Sequence, residues 1–127
     1  MVKVMLIDDD ENILSLLDTF LELEGYQTIQ FGAGLSLSEQ EIYQAIKKEH
    51  PDLLMIDVHL NQVKGINGFD LLERLREDPE LSQMHVLISS GIDFSDKSEH
   101  YGADGFVLKP FMPDELLSQI KNALGHC

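Results

Sequence analysis

The sequence predicts an α/β fold: five parallel strands in one doubly wound sheet, with helices on both faces. Two features predict it. Apolar stretches of strand length alternate five times with stretches of helical periodicity. Polar residues then follow the strands: Asp8-Asp9-Asp10 after the first, Asp57 after the third, Ser89-Ser90 after the fourth, Lys109-Pro110 after the fifth. Right-handed crossovers bring all of these to the C-terminal edge of one sheet. Open α/β sheets bind their ligands at that edge.

The elements follow in order. Residues 2–7 are apolar except for Lys3, the pattern of a strand buried on both faces. Ile13, Leu14, Leu16, Leu17, Phe20, Leu21 and Leu23 then recur at helical spacing, and Gly25 suits the position that ends a helix. Residues 28–31 form a short second strand and 32–37 a loop. Ser38 followed by Glu41 is a capping-box signature. The helix it opens carries Ile42, Tyr43, Ala45 and Ile46 on one side and stops before Pro51. Residues 53–56 are the third strand, delivering Asp57. A long loop is expected over 59–67. Gly68 opens a helix carrying Phe69, Leu71, Leu72 and Leu75, and Pro79 stops it. Residues 86–89 are the fourth strand. The polar, weakly periodic segment 93–101 predicts only a short fourth helix. Residues 106–108 are the fifth strand. Pro113, with Asp114 and Glu115 beside it, opens a last helix whose Leu116, Leu117, Ile120 and Leu124 face the core. Gly125 ends it.

The chain of 127 residues suits one domain, 1–127, and is short for two. Its formal charge of −14 argues against direct nucleic-acid binding, which relies on Lys and Arg. The charge suits a divalent cation or a basic protein partner, although a solvated acidic surface accounts for most of it. Cys127 is the only cysteine, so a disulfide framework is excluded and a cytoplasmic location is expected. No apolar run approaches the roughly 20 residues of a membrane span. Met1-Val2-Lys3 enters a strand directly, so no signal peptide and no membrane insertion are expected.

The polar groups at the sheet edge have a shared chemistry. Two carboxylates about 4 Å apart repel by roughly 4 kcal/mol at an effective dielectric near 20. A cation relieves that repulsion, and Mg²⁺ prefers carboxylate, water and phosphate oxygens. The competing reading for the acidic run is that Asp9 or Asp10 merely caps the first helix. Asp57 alone would pass for a turn residue, Lys109 for a surface lysine and Ser90 for a turn serine. Together they suit phosphoryl transfer. A carboxylate can accept the group, a metal and a lysine can neutralise its charge, and a hydroxyl can hold an oxygen.

The segments Val4-Met5-Leu6-Ile7-Asp8-Asp9-Asp10, Leu53-Leu54-Met55-Ile56-Asp57, Gly68-Phe69-Asp70-Leu71-Leu72, Val86-Leu87-Ile88-Ser89-Ser90-Gly91 and Gly102-Ala103-Asp104-Gly105-Phe106-Val107-Leu108-Lys109-Pro110-Phe111 resemble response-regulator receiver domains end to end. The resemblance implies a flavodoxin-like receiver fold, βα repeated five times. It implies that Asp57 accepts a phosphoryl group. It puts Mg²⁺ against Asp9, Asp57 and the backbone carbonyl of His59, with Asp8 acting through water. Ser90 matches the switch hydroxyl, which Gly91 after it favours over Ser89. Phe106 matches the switch aromatic and Lys109 the phosphoryl-binding lysine. The Lys109-Pro110 bond is expected to be cis.

The implied function is a phosphorylation-controlled switch in two-component signalling, not an enzyme acting on an outside substrate. It would catalyse its own phosphorylation and dephosphorylation. A histidine kinase or histidine phosphotransfer protein would donate the group, and a downstream protein would read the result. The alternatives are a receiver module of a larger regulator or hybrid kinase, or a pseudo-receiver that binds without phosphorylation. A metal-dependent phosphohydrolase would want a second acid soon after Asp57, and Val58-His59 supplies none. Three departures from the family pattern stand out. Asn61 replaces a usual proline in an extended loop, and the connection over 32–37 is also extended. The segment 91–102 is shorter by about three residues, close to one helical turn.

Overall fold

A computed structural model describes residues 1–31, 38–61 and 66–125. In chain order its elements are β1 (Lys3–Ile7), α1 (Glu11–Leu23), β2 (Gln27–Phe31), α2 (Glu39–Glu49), β3 (Leu53–Asp57), β4 (His59–Asn61), β5 (Ile66–Asn67), α3 (Gly68–Glu77), β6 (His85–Ser90), α4 (Ser95–His100), β7 (Gly105–Leu108) and α5 (Pro113–Ala123). The predicted five-stranded sheet is present, all parallel, in the order β2-β1-β3-β6-β7. The strand order reverses between β1 and β3, which makes their C-terminal ends the topological switch point.

Alternation along the buried strands splits the core in two. Met5, Ile7, Leu54, Ile56, Val86 and Ile88 point to the face covered by α2, α3 and α4. Val4, Leu6, Leu53, Met55, Leu87 and Val107 point to the face covered by α1 and α5. The caps match the sequence signals. Asp10 accepts from the main-chain N–H groups of Asn12 and Ile13 and caps α1, Ser38 and Glu41 form the full capping box, and Pro113 opens α5. The competing reading of the acidic run, as a helix cap, therefore holds for Asp10.

Several expectations need correction. The loop expected over 59–67 carries a two-stranded antiparallel ribbon, with His59 of β4 opposite Asn67 of β5. The apolar stripe of α1 is narrower than its spacing implies: Leu16 and Leu23 are 69% and 81% exposed. On α5, Leu117 and Leu124 are only half-buried, and Ala123 takes a core position. The loop expected over 32–37 and the C-terminal Cys127 lie outside the described residues.

The fourth helix is short, as expected, at six residues. Its anchors lie at its ends and not along a face. Phe94 before it and Tyr101 after it pack on the buried Phe69 ring, with centroids 5.6 and 5.4 Å away. The Lys97 ammonium lies 4.7 Å from the Phe69 centroid. Below, Arg76 of α3 donates to the carbonyls of Ser82, Met84 and Gly102 and pairs with Asp104 at 3.2 Å. One guanidinium thus ties α3 to the entrances of both β6 and β7.

Candidate functional site

The register of the sheet assembles the site. Ile7 lies opposite Ile56, so Asp8 and Asp57 leave β1 and β3 side by side. Asp57 itself lies opposite Ser89, and Ser90 opposite Leu108, one residue before Lys109. Lys109 Nζ donates to Asp8 Oδ2 at 2.7 Å and lies 3.6 Å from Asp57 Oδ2. Asp8 also accepts from the Asp10 main-chain N–H at 2.9 Å. Lys109 is held from behind, since its own N–H donates to the Ser90 carbonyl at 2.8 Å. The Lys109-Pro110 bond is cis, as expected.

Asp8, Asp9 and Asp57 each bring a carboxylate oxygen into a group no more than 4.8 Å across. Asp8 and Asp57 are buried and Asp9 is exposed. Such closeness has an electrostatic cost. Burial pushes the Asp57 carboxyl up to about 6, and the neighbouring Asp8 and Asp9 charges push the same way, against Lys109 and the His59 main-chain N–H. Burial and the Asp8 charge likewise raise Asp9 above the usual carboxylate range. Burial by itself would lower Lys109, but its hydrogen bond to Asp8 and the charge of Asp57 outweigh that and hold it raised. One ammonium faces three carboxyls, and the unbalanced oxygen donors fit a hard divalent cation.

Gly68 closes the site from below. Its N–H donates to the Val58 carbonyl at 2.8 Å. A Cβ at this position would stand 2.6 Å from the Asp57 carbonyl oxygen and 3.1 Å from Val58 Cα. Only glycine lets α3 start this close to the strand that carries Asp57. The sequence marked Gly68 as a helix start, but the contact with Asp57 is tertiary and had no local signal. The backbone N–H groups of Asp10 and His59, which hold the Asp8 and Asp57 carboxylates, were also missed. Main-chain donors leave no trace in residue type.

The other expected residues sit as follows. Ser90 is buried, and its Oγ accepts from the Ile92 N–H at 3.1 Å, which leaves the hydroxyl proton free to donate elsewhere. His59 is exposed, and its main-chain N–H donates to the Asp57 carboxylate. Phe106 is half-buried against the core on the α2–α3–α4 side, opposite Ile88 of β6.

The family model described as "Response regulator receiver domain" matches residues 4–121. The chain belongs to this family. The receiver is 30% identical over 123 residues to sporulation initiation phosphotransferase F of Bacillus subtilis, covering 96% of this chain and 93% of that protein. It is also 30% identical to the DNA-binding response regulator MtrA of Mycolicibacterium smegmatis, but covers only 50% of it. The probable transcriptional regulator ycf27 of Porphyridium aerugineum is likewise covered over only 48% of its length. Among solved structures, a response regulator from Chloroflexus aurantiacus superposes with a TM-score of 0.84 at 31% identity, covering 98% of both chains. Chemotaxis response regulator CheY4 of Vibrio cholerae shares the fold, with a TM-score of 0.81 at 22% identity over 97% of this chain and 98% of that one. The receiver is therefore a signalling domain of the two-component type. Among the described residues no helix is long and apolar enough to cross a membrane.

Proposed function

We propose that this receiver, acting as one unit over 1–127, accepts a phosphoryl group on Asp57 from a histidine kinase or histidine phosphotransfer protein. The single observation that carries the reading is Asp57 at the switch point with Lys109 Nζ 3.6 Å away and Asp8 and Asp9 beside it. In the transfer an Asp57 oxygen bonds to phosphorus as the phosphorus–nitrogen bond of the donor imidazole breaks. The products are an acyl phosphate and imidazole. Lys109 neutralises phosphoryl charge as it leaves its partnership with Asp57. Mg²⁺ would be held by Asp9, Asp57 and the His59 carbonyl, with Asp8 reaching it through water. When bound, it supplies charge neutralisation on the transferring oxygens.

The same groups make the receiver a catalyst of its own phosphorylation and dephosphorylation, with no outside substrate turned over. Ser90 is the switch hydroxyl. Its unused proton turns to a phosphoryl oxygen, and Phe106 follows inward. The partner that reads the state is a protein, since a charge of −14 repels nucleic acid. The expected setting is the cytoplasm. Similarity to phosphotransferase F over nearly its whole length supports a free-standing relay protein. Half-length matches to MtrA and ycf27 support the second reading, a module of a longer regulator. A phosphohistidine donor with Mg²⁺, followed by borohydride reduction, tests the assignment, because an aspartyl phosphate becomes homoserine. Homoserine at position 57 is expected. Homoserine at position 8 or 9 would overturn the assignment.

A further inference from the structure

Helix α1 carries a face that the core leaves uncovered. Leu14, Leu17 and Leu21 are its buried residues. Asn12, Leu16, Thr19 and Leu23 line the outward side and are all exposed, bordered by the half-buried Ile13 and Phe20. At about 100° per residue, Glu11, Asp18 and Glu22 stand about 120° or more from Leu16 around the helix. The outward line is therefore free of charge, in a chain of formal charge −14. A cavity of about 370 Å³ opens beside it, lined by Ile13, Leu16, Leu17, Lys109, Pro110 and Phe111, with scarcely a polar atom on its walls. Leu23, two turns beyond Leu16, projects from the same line.

We propose that this face binds a second copy of the chain, α1 against α1, antiparallel about a two-fold axis. An axis passing between Thr19 and Phe20 sets Leu16 of each copy against Leu23 of the other. Ile13, Leu16 and Leu17 have the i, i+3, i+4 spacing of a helical hole, which the cavity deepens, and Leu23 of the second copy is the knob that fills it. The two-fold repeats the same contact at the other end, so one knob and one hole per chain satisfy both copies, as an isologous interface requires. Charge selects the same occupant. Two chains of −14 repel each other, and they meet at least cost through a face without acids. A basic partner would find no carboxylate on this line. A helix of 13 residues is about 20 Å long, so the buried area is small and the dimer is a weak one. The pairing goes beyond phosphoryl acceptance at Asp57 and does not depend on it.

Sedimentation equilibrium of the purified receiver tests the pairing. The weight-average mass should climb from the 14.4 kDa of one chain toward twice that between about 10 µM and about 1 mM, the range of a weak interface. Added salt should strengthen the association, because it screens the repulsion of two acidic chains. Leu16→Glu and Leu23→Lys should each weaken it about tenfold or more. Both residues are exposed, and urea unfolding checks that the variants fold. Both substitutions in one chain should restore association, since each glutamate then meets a lysine of the other copy. Leu108→Glu, at an exposed leucine on β7, should leave association unchanged. Asp57→Asn should associate like wild type, so a failed acceptor assignment and a failed pairing remain distinct. A receiver that stays monomeric at the highest concentration, as it would if the face served only a helix of another protein, overturns the proposal. So would weakening by salt, association lost with Leu108→Glu, or a double variant no better than either single one.

Discussion

Asp57 carries its charge in a place that resists it. The carboxyl ionises near 3.8 in an open chain but near 6 in the fold, chiefly because it is buried. Between those values the folded state holds the extra proton, so stability falls as pH rises through that window. The loss is about 3 kcal/mol at most. In metal-free buffer Asp57→Asn should lack that decline and be more stable than wild type at pH 7 by about 1–3 kcal/mol, measured by urea unfolding. Gly68→Ala should act the other way. Its Cβ meets the main-chain oxygen of Asp57 and cannot be accommodated by a side-chain rotation. A loss of about 1–3 kcal/mol is expected by the same measurement, together with slower phosphorylation. Asp57, Lys109 and Ser90 were readable because each follows an apolar run. Gly68's contact was not, since nothing local encodes which strand end a helix start will touch.

At the scale of elements, α4 is held by three rings and one lysine, not by an apolar face. Phe94 and Tyr101 were visible in the sequence, but their common target, Phe69, lies a whole strand and helix away in the chain. That is why the polar segment read only as weakly periodic. Lys97→Gln should speed amide exchange over 95–101 roughly twofold to fivefold, the worth of one exposed cation–π contact. Phosphorylation should change exchange in the same segment, since Phe69 follows directly on Gly68. Unchanged exchange in the variant would show that the lysine does not hold the helix. Arg76→Ala should cost about 2–4 kcal/mol in urea unfolding, because it strips carbonyls at two strand entrances of their donor. The capping signals at Asp10, Ser38 and Pro113 were local and so were legible. The β4–β5 ribbon was not, because its pairing depends on where α3 docks.

The whole molecule couples a sheet edge crowded with carboxylates to an otherwise conventional two-sided core. The five-stranded parallel sheet followed from apolar runs and crossover handedness, both of which act over the full chain; its strand order is seen only in the fold. Mg²⁺ at a hundred times its dissociation constant should stabilise the fold by about 2.7 kcal/mol, and Asp9→Ala should abolish most of that gain in thermal unfolding. The central claim is that Asp57 is the acceptor. Intact-mass measurement after incubation with acetyl phosphate and Mg²⁺ tests it most directly. One added phosphoryl group in wild type and none in Asp57→Asn is the predicted result; equal labelling of the two proteins would contradict it.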